Sequence, residues 1–365
     1  MAVDVDREQA LAYRIHAQQL ARVELPPAAL AVLDLGVPDT PYGSARLALA
    51  ARTTAPLDDE SLTLVWAARG APHLHRRADL PAVAARLWPL GDNDAGRRIA
   101  SSQVKGAASL GLTAFQAAAD AFAAVVRAPM ARGEVSTGVS ARVPAAVTYA
   151  CRACQATHIS GSLFQQAGLA GGVQLEPVGG ATRLAPIDGW PGVPERARDT
   201  AALVRDYLRL LGPATPAEVA AYLGTTQTEL RRVWPDDLVE VRLAGRTTWL
   251  PPEEVAKVGQ APKPRLVRLL PPGDPYLQAR DRDLVVPEKS RHAQVWRIIS
   301  NPGVLLVDGE ILGIWRSRLA GRKRLDITVA PFAALPGRTR SEVEAEAARL
   351  AAARGVTDVR VTVDE

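Results

Sequence analysis

The chain has 365 residues, 47% of them hydrophobic and 23% charged, so it can bury real cores and does not have the composition of a disordered segment. Its formal net charge is +5 with a pI near 9.5, and all its basic residues except Lys105, Lys257, Lys263, Lys289 and Lys323 are Arg. That balance permits phosphate binding without demonstrating it, because an Arg excess also follows from genome composition. The length suggests two to four domains, no run reaches the roughly eighteen apolar residues of a membrane span, and MAVDVDREQA is too acidic for a secretory signal. Two cysteines, Cys151 and Cys154, cannot staple a chain of this size, which suits a reducing cytoplasm.

In chain order, residues 5–22 read as a helix, with Leu11, Ile15 and Leu20 near helical spacing and His16 as a solvated or capping side chain. Residues 28–35 and 44–52 read as two short helices. Between them GVPDTP sets Asp39 and Thr40 before Pro41, which suits a helix cap. SLTLVWAARG (61–70) reads as a strand, followed by His73 and His75, two apart and so on one face of an extended segment, expected as a polar sheet face.

LTAFQAAADAFAAVVRAP (112–129) is a strong helical pattern, with further helices expected over MARGEVSTGVS and after Pro144. CRACQATH follows. On a helix Cys151, Cys154 and His158 would share a face, giving a weak zinc candidate. Closed structural zinc needs a fourth ligand, so buried thiols beside a hydrogen-bonded His are preferred and no metal or cofactor is expected. VQLEPVGGATRLAP alternates around Gly179-Gly180 like a wing.

Residues 198–252 form the clearest module. An amphipathic helix ends at Gly212-Pro213, Thr215 and Glu218 make a capping box, TTQTELRRVWP reads as a third helix, and a hairpin turns at Gly245. This is the order of a winged helix-turn-helix, in which Thr225, Thr226, Gln227, Arg231 and Arg232 would reach DNA. The last hundred residues read as a small antiparallel sheet with one helix, and Arg316, Arg318, Arg322, Lys323 and Arg324 crowd one hairpin. The expected fold class is α+β, with three tandem winged helix-turn-helix units (1–100, 101–195 and 196–260) and a small C-terminal β-barrel-like domain (261–365).

The order of LDLGVPDTPYGSARLALAAR, LVWAARGAPHLHRRADL, LLPPGDPYLQARDR and VDGEILGIWR resembles the winged-helix DNA glycosylases of the AlkZ and YcaQ type, nearly end to end. The resemblance implies a concave DNA-binding face and hydrolysis of the N-glycosidic bond of bulky N7- or N3-alkylpurine adducts, in some relatives for self-resistance to DNA-alkylating natural products. It further implies a Gln, apolar, Gln-or-Asp motif after the LG pair. Pro38 and Thr40 stand at the two Gln positions, with Asp39 between them. Asp39, in a loop shifted by one residue, and Thr40 are the candidate catalytic pair. Arg46, Gln227, Arg231, Arg232, Arg316, Arg318, Arg322, Lys323 and Arg324 are the candidate DNA contacts. The expected partner is double-stranded DNA carrying alkylated bases, met by a monomer in the nucleoid-containing cytoplasm without a membrane. A non-catalytic DNA binder or regulator and a protein-interaction scaffold are the alternatives.

Overall fold

A computed structural model describes residues 3–104, 106–321, 323–335 and 337–364. The chain divides into two compact units. One comprises 1–59, 205–218 and 236–365; the other comprises 60–204 and 219–235.

The first unit begins with strand Val3–Val5 and helix Arg7–Ala17. A reciprocal capping box starts that helix: Gln9 N–H donates to Asp6 Oδ1 at 2.8 Å and Asp6 N–H donates to Gln9 Oε1 at 2.9 Å. Residues 27–34 make two 3-10 turns, Pro27–Ala29 and Ala31–Asp34, where one short helix was expected. Leu30 separates them in an extended conformation that no continuous helix accommodates. Helix Ser44–Ala50 follows. Strand Val3–Val5 pairs in parallel with Val239–Leu243, which pairs antiparallel with Arg246–Leu250 through the expected turn at Ala244-Gly245.

The C-terminal sheet takes five strands in sequence order: Val267–Leu270, Gly303–Val307, Glu310–Ala320, Arg324–Pro331 and Asp358–Val363. It is mixed, not wholly antiparallel, because helix Gly337–Ala353 carries the chain back so that the last strand joins in parallel. Trp315, Leu305, Val329, Val343 and Leu350 form its buried core with Leu47 of the Ser44–Ala50 helix.

The second unit packs helices Gly111–Val125 and Gly161–Gly168 around Trp66, Phe122 and Phe164, whose rings meet at 4.8–6.5 Å. The segment Ala107–Val125, at mean hydropathy 1.3, is long and apolar enough by composition to cross a membrane. Its Ala114, Phe115, Ala118 and Phe122 face this core. Strands Leu62–Trp66 and Pro72–Arg76 form an antiparallel hairpin. His73 and His75 share a face as their spacing requires, but that face is buried, with the two side chains only 1% and 2% exposed. Strands Val173–Val178 and Ala181–Pro186 turn at Gly179-Gly180, both with positive φ, as the glycine pair predicts.

Residues after Pro144 depart from expectation. A short turn, Ala145–Val147, leads into an antiparallel hairpin, Thr148–Cys151 with Ala156–Ile159. The next helix begins only at Gly161. The antiparallel register of Thr148 with Ile159 through Cys151 with Ala156 makes this segment a ribbon, not a helix.

Candidate active site and nucleic-acid interface

Asp39 sits 7% exposed between Pro38 and a cis Thr40–Pro41 peptide. Its Oδ1 accepts from Ala45 N–H at 2.8 Å, and the nearby Gly43 and Ser44 amides also favour the charged carboxylate. These are donors that the Ser44–Ala50 helix cannot satisfy internally, so Asp39 caps the helix from four residues before its N-cap position. Burial pushes the Asp39 carboxyl above the usual carboxylate range, against the opposing pull of these amides and the Arg354 charge. Thr40 and Tyr42 face outward, Tyr42 at 68% exposure.

The family-like segment LLPPGDPYL closes on this turn. A Cβ on Gly273, which has φ +73°, would lie 3.2 Å from the Thr40 carbonyl oxygen, so this approach requires glycine. Next to Gly273, Asp274 accepts both Arg52 terminal nitrogens, at 2.7 and 2.9 Å, with both side chains fully buried. Asp281 takes Arg14 in the same bidentate manner, at 2.6 and 3.0 Å. Sequence reasoning assigned none of these four residues. The available signal was Arg14 on the apolar stripe of the first helix, where an Arg requires a buried partner.

Arg46 follows the capped amides directly. Its Nε donates to the Ala353 carbonyl at 2.8 Å and Nη1 to Asp58 at 2.6 Å, along a groove of about 420 Å³ that Arg349 also lines. Arg46 thus already holds the C-terminal end of helix Gly337–Ala353.

The basic hairpin is present. Pairing of Arg316 with Thr328, Arg318 with Asp326 and Ala320 with Arg324 places Arg316, Arg318 and Arg324 on one exposed sheet face. Asp326 meets Arg324 at 2.8 Å and Arg318 at 3.6 Å. Lys323 is exposed at the turn, and Arg322 lies outside the described residues. The parallel last strand adds Arg360 opposite Asp326, a fourth cation on this face that sequence reasoning missed. Arg316 also donates to the Ser300 carbonyl at 3.0 Å, beside Ile298 and Ile299, which are 103% and 79% exposed.

In the second unit the recognition-helix candidates divide. Thr225 is buried, and Thr226 caps helix Gln227–Arg231 by accepting from Glu229 N–H at 3.1 Å. Gln227 is half-buried, Arg231 is exposed, and Arg232, also exposed, pairs with Glu229 at 3.0 Å.

Cys151, Cys154 and His158 come together, though on a β-hairpin and not along a helix. Cys151 is half-buried and Cys154 exposed, so the expectation of buried thiols does not hold, while the hydrogen-bonded His does: Cys154 Sγ lies 2.8 Å from His158 Nε2. In the hairpin around Cys151, the CxxC turn leaves both thiols at the turn end of the ribbon.

No curated protein matches the chain. Among solved structures, the Streptomyces sahachiroi DNA glycosylase AlkZ is similar, with a TM-score of 0.76 and 22% identity over 99% of this chain and 100% of that one. At that identity the likeness shows a shared α+β fold. A family model described as DNA glycosylase AlkZ-like matches residues 28–353. The match takes in the Asp39 turn, both buried Arg–Asp pairs except Arg14, and the basic hairpin; the chain belongs to the AlkZ-like family of DNA glycosylases.

Proposed function

We propose that this DNA glycosylase removes N7- and N3-alkylated purines from duplex DNA, with Asp39 as the carboxylate that orients water at the anomeric carbon. One observation carries the assignment: a nearly buried carboxylate is locked in the turn where the sequence resemblance implies the family's motif, with the LLPPGDP loop closing on it. A purine alkylated at N7 is already cationic and departs without a general acid. The remaining demands are a positioned water and negative charge beside the oxocarbenium-like sugar. Asp39 supplies the charge in a loop shifted by one residue, and the exposed Thr40 hydroxyl helps to hold water. Tyr42 offers an aromatic face to a base at the turn.

The basic sheet face and Arg46 are the proposed DNA contacts of the first unit, and Gln227, Arg231 and Arg232 are those proposed for the second. In this reading 1–100, 101–195 and 196–260 act as winged-helix units and 261–365 as a C-terminal domain. The helix order and the hairpins at Gly245 and Gly179-Gly180 support it. The protein works as a cytoplasmic, nucleoid-associated monomer.

A second reading, a DNA binder without glycosidic chemistry, is favoured by Asp39 acting as a helix cap. Two variants separate them. Asn still caps a helix, whereas Ala does not. On duplex containing N7-alkylguanine, Asp39→Asn is expected to cut abasic-site formation by about 100-fold or more while leaving the melting temperature intact, a loss in the range expected for a transition-state group. Full activity in Asp39→Asn would show that the carboxylate serves only the helix.

A further inference from the structure

The Thr148–Cys151/Ala156–Ile159 hairpin holds the one cluster of three potential metal ligands among the described residues. Cys151 Sγ, Cys154 Sγ and a ring nitrogen of His158 all lie within 4.8 Å of one another. Their convergence follows from the fold. Cys151 ends one strand, Cys154 lies in the turn, and His158, opposite Tyr149, returns on the second strand.

The histidine is oriented from outside the hairpin. Its Nδ1 lies 3.2 Å from Ser136 Oγ, leaving Nε2 directed at Cys154. Ser136 belongs to helix Arg132–Ser140, and Ser140 of the same helix accepts from Ile159 N–H at 2.8 Å. An outer hydrogen bond on the distal nitrogen is the arrangement that fixes tautomer and ring direction in metal-bound histidines.

We infer that Cys151, Cys154 and His158 form a zinc site, with Ser136 positioning the histidine and solvent completing the tetrahedron. The donor set of two sulfurs and one imidazole suits Zn²⁺ over the oxygen-seeking Mg²⁺ and Ca²⁺. Tetrahedral bonds of about 2.3 Å to sulfur and 2.0 Å to nitrogen separate ligand atoms by about 3.5–3.8 Å. The observed spread, from 2.8 Å up to 4.8 Å, closes to that range by small rotations of exposed or half-buried side chains. Binding converts both thiols to thiolates and releases their two protons to solvent. The metal ties the hairpin turn to its returning strand, and through Ser136 to the neighbouring helix.

The test uses the full chain purified with a phosphine reductant, equilibrated with Zn²⁺ and desalted. Elemental mass spectrometry is expected to find about one zinc per chain. Co²⁺ in its place is expected to give a near-ultraviolet thiolate charge-transfer band and intense visible bands of tetrahedral cobalt. Cys151→Ser, Cys154→Ser and His158→Ala should each abolish stoichiometric zinc, and Ser136→Ala should weaken it by about 10-fold or more in a chelator competition. Circular dichroism checks that each variant is folded, and the wild-type stoichiometry stands whether or not a variant folds. Less than about one tenth of an equivalent in the wild type, octahedral cobalt spectra, or undiminished zinc in folded Cys154→Ser overturns the site. So does a Cys151–Cys154 disulfide in protein trapped directly from the cytosol with a thiol-blocking reagent. None of these readouts depends on glycosylase activity.

Discussion

Asp39 is asked to be a helix cap and a charged group in a site that disfavours charge. Burial raises its carboxyl above the 3.8 of an ordinary aspartate. The folded state therefore holds this proton more tightly than the unfolded chain. The resulting stability is present at low pH and is lost as pH rises through the folded value. Asp39→Asn removes that penalty and retains the cap, so its melting temperature at neutral pH is expected to equal or exceed the wild type. Asp39→Ala is expected to lose about 1 kcal/mol with the cap. If the ionised carboxylate is the working form, the acid limb of the glycosylase pH profile has its midpoint above 3.8. A limb at or below that value contradicts the role given to burial.

His73 has the opposite sign. Full burial depresses its pKa from 6.5 to about 4, while Nδ1 meets the Ala71 carbonyl at 2.8 Å. The unfolded chain binds the proton more readily, so stability is complete above pH 6.5 and falls as pH drops towards about 4. The loss approaches about 3 kcal/mol at the acid end. Denaturant melts of wild type and His73→Gln between these limits should converge as pH falls; parallel curves would remove His73 as the cause. The sequence placed both histidines on one face correctly. It could not reveal that this face is covered, because period-two alternation fixes a side and not what lies against it.

Single elements were the most legible features. The Thr215–Glu218 capping box forms with Thr215 N–H to Glu218 at 2.7 Å and Glu218 N–H to Thr215 Oγ1 at 3.3 Å. The Gly179-Gly180 and Gly245 hairpins turn where their glycines stand. Such features depend on a few adjacent residues. Features that depend on distant pairing were hidden. Arg360 joins the basic face only because the last strand lies parallel to its neighbour, and Asp281 meets Arg14 across most of the sequence. CRACQATH lies between the two cases: its residues were right and its helix wrong, since a ribbon also brings them together.

Two predictions belong to these elements. Arg318→Ala, Arg324→Ala and Arg360→Ala should each weaken duplex binding uniformly across sequences and reduce the log affinity–log salt slope by about one. Fluorescence anisotropy from low to moderate salt measures it, and an unchanged slope in all three would remove this face from the interface. Arg14→Met strands a buried Asp281 and is expected to cost about 3–5 kcal/mol in denaturant unfolding. Adding Asp281→Leu should recover much of that loss. No recovery would mean that Arg14 matters more through its 3.0 Å bond to the Gly212 carbonyl.

For the molecule as a whole, membership of the AlkZ-like family identifies a DNA glycosylase, and the Pro38-Asp39-Thr40 turn, where the sequence resemblance implies a Gln motif, makes its chemistry the point of interest. In the proposed function Asp39 does the water positioning in this turn. The family match spans 28–353, so the alternative of a pure protein scaffold does not describe this chain. The most direct measurement is mass spectrometry of the bases released when purified protein is incubated with DNA alkylated at purine N7 and N3, with spontaneous depurination subtracted. The account predicts free alkylpurine rising with time and enzyme, matched by abasic sites and lost in Asp39→Asn. Release no faster than the uncatalysed background, from any alkylated duplex, would contradict it.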